Sequence, residues 1–269
     1  MLVASNAEAA KKGKGKAAVA EVKQPARPTL PPEKLEKVRA ILFGDDEGAA
    51  ADAAKALGQS GAANAKEPLV ELLSVGVSPA RAQVALEALG ELADPATIDV
   101  LTLYAGNHAP DVRRRAVKAL GAIKDEAAAP PLMDALGDQA PDVRAAAADA
   151  LAARKDTKAA PRLLALVKRN DAGAAPALGL LATPELVPQL AELQGAVDDN
   201  VVAAALGEYV KREDVPDPLR VDVVRTIGRL SGAAATTALV EYLASVPAKD
   251  DRPSKREAQK LLDEKGSVK

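Results

Sequence analysis

An all-α, right-handed solenoid of about six to seven antiparallel helix pairs is the fold this sequence predicts, and three observations predict it. The first is composition. Of 269 residues, 61 are alanine and 33 leucine, while Phe43, Tyr104, Tyr209 and Tyr242 are the whole aromatic complement. Alanine and leucine favour helix and let helices approach closely, whereas a β-sandwich needs more β-branched and aromatic side chains. The second is a register of 31 residues, kept by Pro79, Pro110 and Pro141 and again by Leu101, Leu132 and Leu163. Self-similarity at such a period marks stacked supersecondary units. The third is balance: 48% hydrophobic and 28% charged residues with a net charge of −2 belong to a folded chain rather than a disordered one. No apolar run approaches the roughly 18 residues of a membrane-spanning helix.

Residues 1–32 are expected to form a disordered basic arm. Lys11, Lys12, Lys14 and Lys16 interleave with glycine, and Pro25, Pro28, Pro31 and Pro32 follow. With Lys23 and Arg27 set against Glu8 and Glu21, the arm carries +4, which leaves −6 for residues 33–269. Within residues 1–10, Ala7-Glu8-Ala9 has the Ala-x-Ala form that precedes a signal-peptidase cut, with only Leu2-Val3-Ala4 ahead of it as apolar stretch. A remnant of an export signal and an alanine-rich terminus fit these residues alike. Exported or periplasmic and cytoplasmic locations therefore both stay open, and the absence of cysteine decides nothing between them.

A helix should begin near Pro32-Glu33, where Leu35, Val38, Ile41 and Leu42 make an apolar face. It should cover the first repeat, with Phe43 as its one large anchor. The solenoid is expected over 33–265, with 266–269 as a tail. First helices of the repeats end on Ala56-Leu57-Gly58, Ala88-Leu89-Gly90, Ala119-Leu120-Gly121 and Ala150-Leu151-Ala152. Leu178-Gly179, Leu206-Gly207 and Ile227-Gly228 continue the series at shorter steps. Such drift is expected toward the end of an array, where the core must be closed.

Each unit reads as two helices. Proline costs nothing at a first helical position, and Ser78, Asp94, Thr183 and Asp217 each stand just before one as capping candidates. Val112, Ala116, Leu120 and Ile123 form one apolar stripe of a first helix; Leu132, Leu136, Leu163 and Val167 belong to second helices. Neither helix hides its stripe alone, so neighbouring units must share a core.

Two units are nearly identical, opening on Pro110-Asp111-Val112-Arg113 and Pro141-Asp142-Val143-Arg144. Two helices in about 30 residues with this opening and an Ala-Leu-Gly close resemble HEAT repeats, above all the short kind named after phycobilisome lyases. The likeness spans about 45–246 and weakens over 172–216. It implies first helices on a convex side and second helices on a concave side, at roughly 64–75, 96–105, 127–137, 158–169, 184–194 and 234–245. It further implies that the Arg of the Asp-Val-Arg opening bridges to the neighbouring repeat. Asp111, Arg113, Asp142 and Arg144 are thus structural candidates, with each Asp also placing negative charge at a helix N-terminus. Arg114 and Arg115 are expected to be exposed.

Function is bounded mostly by exclusion. Without cysteine and with one histidine, His108, in a turn, the chain offers no thiolate nucleophile and no thiolate or multi-histidine metal site, so no cofactor is expected. Carboxylates are scattered, and Asp45-Asp46-Glu47 reads as the start of a helix. Nucleic acid is a poor fit to an acidic body almost bare of aromatics. A protein or peptide partner fits best, with the chain monomeric outside its complex. The candidate partner surface is Tyr104, Tyr242, Arg162, Lys168 and Arg169, all on implied second helices. Each tyrosine is either an interface anchor or a side chain closing the edge of the core with its hydroxyl in water. The function expected is a non-enzymatic interaction scaffold. Its alternatives are an enzyme-accessory subunit of the phycobilisome-lyase kind and a structural component of an envelope assembly.

Overall fold

The computed structural model describes residues 27–266. The Ala7–Ala9 pattern, the lysine-rich stretch and the last three residues lie outside them. Among the described residues the chain is all helix and turn, with no strand, and comprises fifteen α-helices. After α1 (Pro32–Leu42) come seven pairs: α2 (Glu47–Gln59) with α3 (Lys66–Ser74), α4 (Pro79–Leu92) with α5 (Ile98–Ala105), and α6 (Pro110–Ala122) with α7 (Ala129–Ala135). They continue with α8 (Pro141–Ala153) and α9 (Ala160–Val167), then the short α10 (Ala175–Leu181) and α11 (Val187–Ala191). The last two pairs are α12 (Asp199–Lys211) with α13 (Asp217–Arg229) and α14 (Ala233–Ser245) with α15 (Pro253–Gly266). Each even-numbered helix packs on the next, from α2 through α14, as one layer; the odd-numbered helices from α3 form the second.

The alanine content has a direct packing role. A Cβ on Gly90 would meet Ala119 at 3.1 Å, one on Gly121 would meet Ala150 Cβ at 2.7 Å, and one on Gly207 would meet Ala238 Cβ at 2.9 Å. The Leu-Gly close of α4, α6 and α12 therefore sets glycine against alanine of the next first helix. Between the layers lies a continuous core of Leu, Val and Ala, with Leu86, Leu89, Leu101, Leu120, Leu132 and Leu151 fully buried.

Second helices open through a single 3-10 turn held by a recurrent aspartate. Asp94, Asp125 and Asp156, in 31-residue register, accept hydrogen bonds from the backbone N–H of Ala96 (2.9 Å), Ala127 (2.8 Å) and Lys158 (3.1 Å). Two of the four expected proline-side caps differ. Ser78 and Asp94 cap, but Thr183 makes no capping bond and Asp217 is itself the first residue of α13, behind Pro216. Asp46 caps α2 through the N–H of Ala49 at 3.0 Å, so Asp45-Asp46-Glu47 is the helix start expected.

Two boundaries are corrected. The arm expected over 1–32 is too long at its end, because residues 27–31 lie against the first two repeats. Leu30 donates to Asn64 Oδ1 at 2.9 Å and accepts from Asn64 Nδ2 at 3.0 Å, and Arg27 donates to the carbonyl of Leu92 at 2.8 Å. The second concerns the last repeats. Residues 234–245 are α14, a first-layer helix packed on α12, rather than a second helix; the second helix paired with it is α15, and Ile227-Gly228 lies in the last turn of α13, the second helix of the pair before. Ile227-Gly228 imitates a first-helix close, yet a Cβ on Gly228 would meet Leu261 of α15 rather than an alanine of a first helix.

Candidate functional site

The second layer of the central repeats presents the polar and apolar groups from which a surface can be assembled. On α5, Leu103 is 72% exposed, and Val75 just past α3 is 64% exposed. Tyr104 follows Leu103 on α5. Its ring is half-buried, and its hydroxyl donates to the carbonyl of Leu73 at 2.7 Å, so it ties α5 to α3 rather than ending in water. Burial pushes the Tyr104 hydroxyl above its ordinary pKa. Toward the C-terminal end the layer becomes cationic. Arg162 on α9 donates to the carbonyl of Met133 at 2.7 Å and stands 3.8 Å from Asp134; Lys168 lies 3.4 Å from Gln189 Oε1; Arg169 is exposed beside it. Tyr104, Arg162, Lys168 and Arg169 therefore share one layer.

Tyr242 does not join them. It lies on α14 in the first layer, is 1% exposed, and its hydroxyl stands 2.5 Å from Ser254 Oγ, which in turn bonds Asp217. It is a core residue locking α14 to α15 and α13. Nothing in the sequence marks it as different from Tyr104; the 31-residue register has given way before α14, so the layer of that helix is not marked by spacing.

The Asp-Val-Arg openings build a ladder between repeats. Arg113 on α6 grips Asp138, ahead of α8, through Nε and Nη2 at 2.7 Å each, while its Nη1 donates to the carbonyls of Asn107 (3.0 Å) and His108 (3.1 Å). Arg144 on α8 repeats the arrangement with Asp171 at 2.5 Å and the carbonyls of Asp138 and Gln139, both at 2.9 Å. Asp111 takes no part in this ladder, pairing within its helix with Arg114 at 3.3 Å, and Asp142 is exposed in the first turn of α8. The carboxylates that matter are Asp138 and Asp171, which sequence spacing alone does not couple to arginines about 25 residues away. Arg114 and Arg115 are half-buried rather than exposed, the second pairing with Glu87.

The Arg113 guanidinium holds the Asp138 carboxyl below the usual carboxylate range. A depressed folded-state pKa adds stability that is fully present above the unfolded value of about 3.9 and is lost as pH falls through the folded value. Asp138→Asn keeps an oxygen for the N–H of Ala140, as Asn107 does for Ala109 one repeat earlier. The variant should therefore be less stable than the parent by a constant margin from about pH 7 to 5, with the margin shrinking below about pH 4. Urea unfolding across that range measures it; a margin independent of pH would contradict the pairing.

No cluster of three or more His, Asp or Glu side chains able to hold a metal occurs among the described residues, and no helix there is long and apolar enough to cross a membrane. What the fold defines is a stacked array of two-helix repeats with an open second-layer face. The HEAT repeats family matches residues 67–141 and 100–173, and the PBS lyase HEAT-like repeat matches 49–74. Residues 49–173 are thus a run of HEAT repeats. Among solved structures, the complex of CpcE and CpcF of phycocyanin lyase from Nostoc sp. PCC7120 is 22% identical over 90% of this chain and 98% of that one, with a TM-score of 0.47. A designed armadillo repeat protein is 20% identical over 85% of this chain and 98% of its own, with a TM-score of 0.39. No curated protein matches the chain.

Proposed function

We propose that this chain is a non-enzymatic docking scaffold whose second layer receives a protein or peptide partner. The observation that carries this reading is the placement of exposed Leu103 and Val75 and the cations Arg162, Lys168 and Arg169 on one layer of a repeat array. Exposed large apolar side chains flanked by charge are the composition of an interaction surface. A second reading, an enzyme-accessory subunit, is favoured by the PBS lyase HEAT-like repeat at 49–74 and would use the same face.

Quantitative affinity capture tests the proposal. The parent chain is compared with Leu103→Asp combined with Arg162→Glu and Lys168→Glu, and with a first-layer control, Lys118→Glu. A partner should be held by the parent and by the control and lost by the triple variant. Equal recovery with all three would refute the second layer as the docking face. An enzyme recovered in the same layer-dependent way would favour the accessory role.

A further inference from the structure

Residues 27–31 show how an extended segment sits on this solenoid. Arg27 donates to the carbonyls of Leu92 (2.8 Å) and Ala93 (3.4 Å) and lies 3.8 Å from Asp94, which also pairs with Lys66 at 2.7 Å. Pro28 accepts from the N–H of Ala63 at 2.9 Å, and Leu30 is clamped by Asn64. Adding 62 residues, two repeats, carries Asn64 to Glu126, Pro68 to Pro130, Leu92 to Arg154 and Asp94 to Asp156. Those four residues line a cavity of about 400 Å³ together with Ala129, Met133 and Lys158.

The backbone of the two places is the same. Ala93 and Lys155 are both left-handed, at φ 46° and 56°, and Asp94 and Asp156 both cap the turn that follows. The cations differ. Position 128, the counterpart of Lys66, is alanine, and among the described residues neither Asp156 nor Glu126 has an ion-pair partner. Arg154, although it lines the cavity, is turned back to the carbonyls of Ile123 and Asp125.

Arginines recur at the ends of first helices: Arg27 at α4, Arg154 at α6, Arg212 at the carbonyl of Ala182 beyond α10 (2.6 Å), and Arg220 at Val210 of α12 (3.2 Å). At the end of α8, beside the cavity, no arginine among the described residues donates to the carbonyls of Arg154 or Lys155. We propose that this cavity receives an arginine-bearing, proline-flanked extended segment of a partner protein, its arginine placed as Arg27 is placed two repeats earlier and one backbone N–H held by Glu126 where Asn64 holds Leu30. The proposal rests on the reading of the second layer as the docking face and gives that face one position and one ligand chemistry.

The test uses a fluorescein-labelled peptide with the sequence of residues 24–33, titrated by anisotropy into the full chain, with amide NMR shifts to map its position. Shifts should centre on 126–158. Affinity should fall about tenfold when the arginine of the peptide is alanine, and about as much with Asp156→Asn in the chain, the loss of one charge-assisted contact. Asp156→Asn retains the capping oxygen and so the fold. Ala129→Trp, filling the cavity, should abolish binding, while Asn64→Ala should not weaken it. If Ala129→Trp does not fold, Asp156→Asn decides. No binding, affinity indifferent to Asp156→Asn, or shifts confined to 63–94 through displacement of the chain's own segment would each overturn the proposal. Binding elsewhere on the second layer would overturn this site alone and leave the docking face standing.

Discussion

Replacing Leu120 by alanine should lower the unfolding free energy by about 2–4 kcal/mol, the cost of removing a large buried side chain whose surroundings relax only in part. Leu120 is fully buried on α6, which packs on α4, α5 and α8. In a solenoid each repeat contacts only its neighbours, so a lesion there weakens the coupling of the N-terminal repeats to the C-terminal ones. The urea transition should therefore become shallower as well as earlier. Leu103→Ala is the contrast: the side chain is 72% exposed, and its loss should shift stability by about 0.5 kcal/mol or less. Circular dichroism against urea measures both. A Leu103→Ala effect as large as that of Leu120→Ala would mean that the buried stripe has been placed on the wrong face of the repeats.

What was legible in the sequence follows from how local each signal is. The 31-residue register fixes the helices from α4 to α9, because proline, Asp94, Asp125, Asp156 and the Leu-Gly close act within a few residues of where they stand. Arg113 and Asp138 are 25 apart, and Arg27 and Leu92 are 65 apart; nothing in their own neighbourhoods announces the partner. The layer of Tyr242 was lost for another reason. In the earlier repeats Leu-Gly closes a first helix, and Ile227-Gly228 repeats the pattern on a second helix, where the glycine makes room for Leu261 instead. Near-identical dipeptides can thus serve two packing partners, and only the count of helices between them tells which. Four of the five candidate surface residues share the second layer because they lie where the 31-residue register still separates first from second helices.

Gly179→Ala should be among the costliest single-methyl additions in the chain. In a helix interior, glycine to alanine ordinarily gains about 1 kcal/mol. Here the new Cβ would land on the carbonyl oxygen of Ala205 and within 2.7 Å of Glu208 Cβ, because the seven-residue α10 lies against the backbone of α12. Overpacking against a group that cannot rotate away costs about 1–3 kcal/mol or more, so a net loss of about 2 kcal/mol is expected. At Gly121 the obstacle is of another kind: the nearest atom is the Cβ of Ala150 at 2.7 Å, with its Cα at 3.5 Å. The two sites therefore separate in double-mutant cycles. Ala150→Gly removes the atom that Gly121→Ala would strike, so that pair should show a favourable coupling. Ala205→Gly leaves the carbonyl oxygen where it is, so Gly179→Ala with Ala205→Gly should show none. Thermal or urea midpoints of the four single variants and two doubles give both couplings. A favourable coupling at 179 and 205 would mean that α10 and α12 meet through side chains, and that the shortened repeat is no tighter than its neighbours.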